Sequence, residues 1–276
     1  MILMAGLVKL PLAVNGAIGL IVIAGHNLVD PYLPKLIPEL ADSNLAGLWK
    51  ILYLGFFAGP IRFGATGPNL IVLYSIVPWI GVMAAGYAFG KVLTLQPARR
   101  NGICLAIGLG ATALFLVLRG LNLYGDPRPW NAAPGGSSSM PALLAFLNTN
   151  KYPASLSFLL MTLGPIIALI PLLERARGPF ARWIAVFGRV PFFFYMLHIP
   201  LIHALALVVS VIRLGHVSHW LFTNHPMGNP PPPEGYAWSL PLLYLVWAVA
   251  ILILYFPCRW FAGLKSRRKD WWLSYL

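Results

Sequence analysis

The run GICLAIGLGATALFLVL, residues 102–118, contains no charged side chain. A bilayer core of about 30 Å is crossed by roughly 20 apolar residues in an α-helix. Lipid offers no hydrogen-bonding partner to the backbone, so such a run favours a helix. Five other stretches share this character, and we expect further spans near residues 10–29, 70–90, 154–173, 190–212 and 237–258.

The predicted fold class is therefore all-α. We expect one polytopic transmembrane helix bundle, residues 1–276, with about six spanning helices. An apolar piece at residues 45–57 is interrupted by Lys50 and is too short to span. It predicts a short interfacial or re-entrant helix.

Composition excludes several classes of protein. Of the 276 residues, 59% are hydrophobic and 10% are charged, whereas a soluble domain carries roughly 25% charged residues. The net charge of +13 comes from basic residues placed between apolar runs, which indicates the anionic membrane surface as partner and no nucleic acid. Two cysteines, Cys104 and Cys258, exclude a disulfide scaffold and a four-cysteine zinc site.

Charge asymmetry predicts the orientation. Twelve of the 20 basic residues fall on one side, and the opposite connections hold five of the seven acidic ones. By the positive-inside rule the basic side is cytoplasmic. We expect a multi-pass protein of the bacterial cytoplasmic (inner) membrane with a cytoplasmic C-terminus. The twelve are Lys9, Lys91, Arg99, Arg100, Arg175, Arg177, Arg182, Arg259, Lys265, Arg267, Arg268 and Lys269.

Arg189 lies at the cytoplasmic start of the fifth predicted span. Its planar guanidinium suits phosphate or pyrophosphate oxygens, so it is a candidate cofactor-binding residue. The alternative is that the side chain snorkels to lipid headgroups.

Three residues of the same span are candidate catalytic groups: Tyr195, His198 and His203. Tyr195 and His198 are three residues apart, so they share a helix face. A neutral imidazole can act as general base for an acceptor hydroxyl or amine. The alternative is a histidine bonded to a neighbouring helix. Pro200 is expected to bend the helix and to bring His203 toward the same cavity.

The outer connections hold other candidates. Asp126 either takes part in a site with Arg128 or orders a proline turn, and His26, Asn27 and Asp30 either form a site or end the first span. His216 and His219 resemble half a metal site, but no second pair has ligand spacing, so no metal is expected. No Gly-rich phosphate loop or GxSxG elbow occurs.

Four segments together resemble the bacterial members of the heparan-alpha-glucosaminide N-acetyltransferase-like family. They are YSIVPWIGVM at 74–83 with GYAFG at 86–90, YGDPRPW at 124–130, FLNTNKYPASL at 146–156 and GRVPFFFYMLHIPLIH at 188–203. The resemblance covers most of residues 1–215 in order. It implies a polytopic membrane acyltransferase, whose lysosomal relative moves acetyl from cytosolic acetyl-CoA to a glucosamine amine on the far side.

From the residues and the resemblance we expect acetyl-CoA as the donor, with Arg189 holding its phosphates. A sugar-type acceptor would bind near Asp126, Asn148 and Lys151. The partners are then membrane lipids, an acyl-CoA and this acceptor, and self-association is left open. The other two classes are a transporter or permease and a non-enzymatic membrane scaffold.

The chain departs from the family at its beginning. The family has further N-terminal spans, which carry the catalytic histidine of the lysosomal relative. Residues 1–8 are apolar, without a basic leader, and resemble the tail of a helix. We therefore expect the chain to be the C-terminal portion of the family's domain and to be catalytically inactive alone.

Overall fold

The computed structural model of the chain describes residues 2–41, 45–55, 59–64, 67–131, 141–223, 232–268 and 270–274. In this part of the chain six helical segments are long and apolar enough to cross a membrane, and the all-α polytopic fold is confirmed. The helices are α1 (Ile2–Leu7), α2 (Leu12–Gly25), α3 (Leu33–Ala41), α4 (Ala46–Trp49), α5 (Ile76–Leu93), α6 (Pro97–Gly120), α7 (Ala142–Leu147), α8 (Leu156–Leu173), α9 (Pro179–Arg189), α10 (Pro191–Leu214) and α11 (Leu240–Arg267).

The chain divides into two compact units, Met1–Arg175 and Ala176–Leu276. In the first unit α2 packs on α5 and α6 packs on α8. In the second, α9, α10 and α11 surround an apolar core in which Val190 and Cys258 are fully buried. The single membrane domain over residues 1–276 stays a prediction.

Small residues allow the close helix pairs of the first unit. A Cβ on Gly108 would lie 2.3 Å from the backbone nitrogen of Ala168, and one on Gly19 would lie 2.4 Å from that of Ala85. Membrane helices associate through such packing because lipid is as apolar as their side chains. Gly86 is four residues before Gly90, as Gly108 is four residues before Thr112, but a Cβ on Gly86 would face open space.

Several helix ends differ from the predicted spans. The second span was expected from residue 70, but α5 begins at Ile76. Asn69–Leu70 forms a strand, β2, that pairs antiparallel with β1 (Ile61–Arg62), so its backbone bonds lie across a hairpin. The third span is longer than expected, because α6 runs from Pro97 to Gly120.

Short helices occupy the connection between α2 and α5, where the sequence predicts a short helix. Its interfacial or re-entrant position stays a prediction. A 3₁₀ stretch (His26–Tyr32) extends α2, and α3 and α4 follow, the latter continuing into a π turn (Lys50–Leu54). Lys50 donates from Nζ to the carbonyl of Pro60 at 3.0 Å, so its charge has a polar partner within this connection.

The first unit has two distinct ends. At one, which we call the Asp126 end, α2 and α6 finish and α5 and α8 begin. Tyr124 and Leu156 both bond to the end of α2 there. At the other, the Arg100 end, Arg100 of α6 pairs with Glu174 after α8. The predicted orientation makes the Arg100 end cytoplasmic.

Candidate functional site

Arg119 is the centre of a buried polar cluster at the Asp126 end. It lies in the last turn of α6, and its side chain is 4% exposed. The guanidinium donates to four carbonyls, those of Arg128 at 2.8 Å, Asn148 at 3.0 Å, Phe146 at 3.1 Å and Ala145 at 3.4 Å. Its fork of N–H donors therefore joins two connections that are far apart in sequence.

Asp126 is the carboxylate partner of Arg119, at 3.4 Å. Its second oxygen accepts from the backbone N–H of Asn150 at 2.9 Å and from the Ser155 hydroxyl at 3.3 Å. Its first oxygen also accepts from the backbone N–H of Arg128. Protein donors thus occupy both oxygens, so in this structure Asp126 acts as an organiser of the turn.

The end of α2 joins the same cluster. Asn27 accepts from the backbone N–H of Leu156 at 2.8 Å and donates to Asp30 at 2.7 Å. Both His26 and Asn27 are buried. Asp30 and Asp126 lie close enough to interact electrostatically, so the α2 end and the Asp126 turn form one polar region.

Two tyrosine hydroxyls donate hydrogen bonds to the backbone at the end of α2. Tyr53 and Tyr124 donate at 2.6 Å each to the carbonyls of His26 and Ala24. Burial raises the pKa of the Tyr53 phenol well above its ordinary value, and the Asp30 carboxylate raises it further. The pKa of Tyr124 is raised by the same two causes in the same order. Both phenols therefore stay protonated and remain donors.

Several buried polar atoms of this region have no hydrogen-bond partner among the described residues. They include His26 Nε2, Ser75 Oγ and Ser157 Oγ. Leaving a buried polar group unpaired costs roughly 1–3 kcal/mol. A polar molecule bound here would supply the missing hydrogen-bond partners of these atoms.

A cavity of about 210 Å³ opens in the Asp126 turn. Its polar walls come from Arg119, Asn122, Asp126, Arg128 and Ser157. Pockets for drug-sized ligands run to about 300–1,000 Å³, so this one suits a smaller polar group such as a single sugar ring.

Two of the three predicted acceptor-binding residues meet in this cluster. Asp126 lines the cavity, and Asn148 contributes its carbonyl to Arg119, while its side chain is exposed. Lys151 is exposed and lies over the ring of Tyr152, with 5.2 Å from Nζ to the centroid. Hydrogen bonding from Tyr74, 3.4 Å from its hydroxyl, lowers the pKa of Tyr152.

The other predicted residues lie in the second unit. Arg189 is exposed at the end of α9, and Tyr195 is 59% exposed on α10. His198 bonds through Nδ1 to the carbonyl of Tyr195 at 2.5 Å and stacks on Phe194. His203 is exposed and makes an edge-to-face contact with Phe222, which lies in the connection after α10. The roles assigned to these residues stay predictions.

Among the residues that the structure describes, no group of three or more His, Cys, Asp or Glu side chains could hold a metal ion. The run GGSSS at 135–139 predicts a flexible stretch, and the run of prolines at 230–233 favours extended polyproline geometry. Residues 135–139 and 230–231 lie outside the described residues.

Sequence reasoning missed Arg119. The residue adjoins the third predicted span, and its positive charge at the non-basic side was the available signal. An arginine at that depth normally has a partner. The partners are carbonyls 9 to 29 residues away, which no local pattern shows.

Comparison of the chain with protein-family models, curated proteins and solved structures finds no match.

Proposed function

We propose that the chain is an integral membrane acyltransferase of the heparan-alpha-glucosaminide N-acetyltransferase-like kind. It moves an acetyl or other acyl group from a cytosolic CoA thioester to an amine or hydroxyl of a sugar-type acceptor. The acceptor binds at the Asp126 end, which the predicted orientation places on the outer side.

One observation carries this proposal. Arg119 bonds at once to Arg128 of the YGDPRPW segment and to Phe146 and Asn148 of the FLNTNKYPASL segment. Two of the four segments behind the family resemblance thus build one polar cluster, and the first of them lines the cavity. Such a concave group of convergent polar side chains is typical of a ligand site.

The chemistry needs a donor site as well. We assign the CoA phosphates to Arg189, whose exposed guanidinium at the end of α9 can form paired hydrogen bonds with phosphate oxygens. Acyl transfer joins the acceptor nitrogen or oxygen to the thioester carbonyl carbon and releases CoA as its thiol. Tyr195, His198 and His203 remain the candidates on α10 for assisting that step.

The test is transfer of radiolabelled acetyl from acetyl-CoA to glucosamine in membranes. It is run with the chain alone and with a longer form that supplies the upstream spans of the resembled family. Arg128→Gln should raise KM for glucosamine, because its exposed side chain lines the cavity without bonding the fold. Arg189→Gln should raise KM for acetyl-CoA.

Arg182→Gln is the matched control, an exposed arginine on the same helix as Arg189. It should leave both KM values unchanged. Transfer no greater than that of membranes lacking the protein, in both forms, would exclude the proposed function.

A further inference from the structure

His26 is the buried histidine of the Asp126 end and has no role in the proposal above. It begins the 3₁₀ stretch after α2 and is 6% exposed. Its Nδ1 lies 3.0 Å from the carbonyl of Val22 and 3.2 Å from that of Ile23. Carbonyl oxygens only accept, so a neutral ring carries its hydrogen on Nδ1. The free lone pair is then on Nε2, the atom that has no partner among the described residues.

A second unpaired polar atom belongs to Ser75. This serine is the N-cap residue of α5, where a serine usually accepts from a helix N–H. Here its side chain makes no capping bond, although the residue is 2% exposed. Ser155, the N-cap of α8, does cap its helix and also donates to Asp126. The Ser75 hydroxyl is therefore available for another partner.

The register of α2 against α5 places these two residues at one level. The pair is antiparallel, with Gly16 against Ala88 and Gly81 against Val22. His26 lies one helical turn after Val22. Because the helices are antiparallel, one turn back along α5 from Gly81 is the first turn of that helix, which directly follows Ser75.

His26 is not among the residues that line the cavity of the Asp126 turn, but its neighbours in the chain are hydrogen-bonded to that turn and to the start of α8. Tyr124, which lines the cavity, donates a hydrogen bond to the carbonyl of Ala24, two residues before His26. Asn27, the residue after it, bonds to Leu156, which precedes the cavity residue Ser157. Asp30 lies close enough to His26 to interact with it electrostatically.

We propose that His26 Nε2 accepts the proton of the acceptor's nucleophilic hydroxyl or amine, and that the Ser75 hydroxyl binds the same group. This deepens the proposed function and rests on it. As the O–H or N–H bond breaks, its proton passes to Nε2 and the nucleophile bonds to the thioester carbonyl carbon. The C–S bond then breaks, and the proton on Nε2 returns to the departing thiolate.

The experiment reads His26 directly. The protein is labelled with ¹⁵N-histidine in lipid nanodiscs, and the His26 resonances are assigned by their loss in His26→Gln. In the free protein the hydrogen should be on Nδ1. Glucosamine should shift the Nε2 resonance, and Ser75→Ala should weaken that response several-fold.

Transfer assays, run in the longer form that supplies the upstream spans, give the second readout. His26→Asn keeps an amide N–H for the Val22 carbonyl but has no atom at Nε2. It should lower kcat by about 10²–10⁴-fold, the range of general-base contributions, with little change in KM for acetyl-CoA. His219→Gln, an exposed histidine in the second unit, is the control and should match the parent.

The outcomes separate the two proposals. If the parent is active and His26→Asn is equally active, His26 has no catalytic role, and the proposed acyltransferase activity is unaffected. The same conclusion follows if the hydrogen is on Nε2 in the free protein, or if saturating glucosamine does not shift the Nε2 resonance. An Nε2 that responds to glucosamine in a protein without any acetyl transfer would keep the binding site and overturn the proposed function. Because the titration uses the parent protein, a variant that fails to fold does not block the test.

Discussion

Replacing Arg119 by Met should destabilise the Asp126 end strongly. The guanidinium is 4% exposed, pairs with Asp126 at 3.4 Å and donates to four carbonyls at 2.8–3.4 Å. Removing one partner of a buried ion pair costs about 3–5 kcal/mol, since the other charge stays buried. Methionine fills much of the same space, so little of the loss comes from a cavity. We expect the free energy of unfolding to fall by about 3–5 kcal/mol.

The assay is reversible unfolding by SDS in mixed micelles, followed by tryptophan fluorescence. A double-mutant cycle isolates the pair, with Arg119→Met and Asp126→Asn made singly and together. Because the double variant leaves no unpaired charge, its loss should be smaller than the sum of the single losses by about 1–3 kcal/mol.

Arg128→Met is the matched control, since this arginine belongs to the same turn but its side chain is exposed. Its effect should stay within about 0.5 kcal/mol. A loss below about 1 kcal/mol for Arg119→Met, or additive losses in the cycle, would refute the view that this ion pair holds the turn.

Three further outcomes are expected. Gly108→Ala should destabilise the chain by about 1–3 kcal/mol, since its Cβ would lie 2.3 Å from the backbone of α8, whereas Gly86→Ala, in open space, should not; equal effects would contradict the packing argument. Tyr152 should ionise below the ordinary tyrosine pKa because a hydrogen bond from Tyr74 stabilises the phenolate, and Tyr74→Phe should move the ultraviolet titration to higher pH; an unmoved titration would remove that cause. A reporter fused to the C-terminus should report the cytoplasm, and a signal from the outer side would reverse the orientation.

The membrane fold could be predicted because hydropathy is a local property. The run at 102–118 needs no information from elsewhere to indicate a spanning helix, since lipid requires any apolar segment to satisfy its own backbone. The ends were less predictable. The strand Asn69–Leu70 depends on partners seven and nine residues earlier, and the apolar residues that begin at Leu70 resemble the start of a span.

The tertiary structure decided which small residues matter. Gly86 and Gly108 sit in similar spacings, but only Gly108 meets a neighbouring helix closely. Spacing reports the face of a helix, whereas contact depends on which helix lies against that face.

The site shows the same division more sharply. Asp126 and Asn148 were predicted to bind the acceptor, and the structure places the Asp126 carboxylate and the Asn148 backbone carbonyl against Arg119. Their role in binding stays a prediction. Arg119 and the unpaired Nε2 of His26 were not predicted. A hydrogen bond between residues 27 or 29 positions apart leaves no periodic trace in a sequence, and a missing partner is visible only when every neighbour has been placed. The sequence by itself therefore determined which segments are apolar enough to span a membrane. The pairing of the buried polar groups was determined only by the packing of the folded chain.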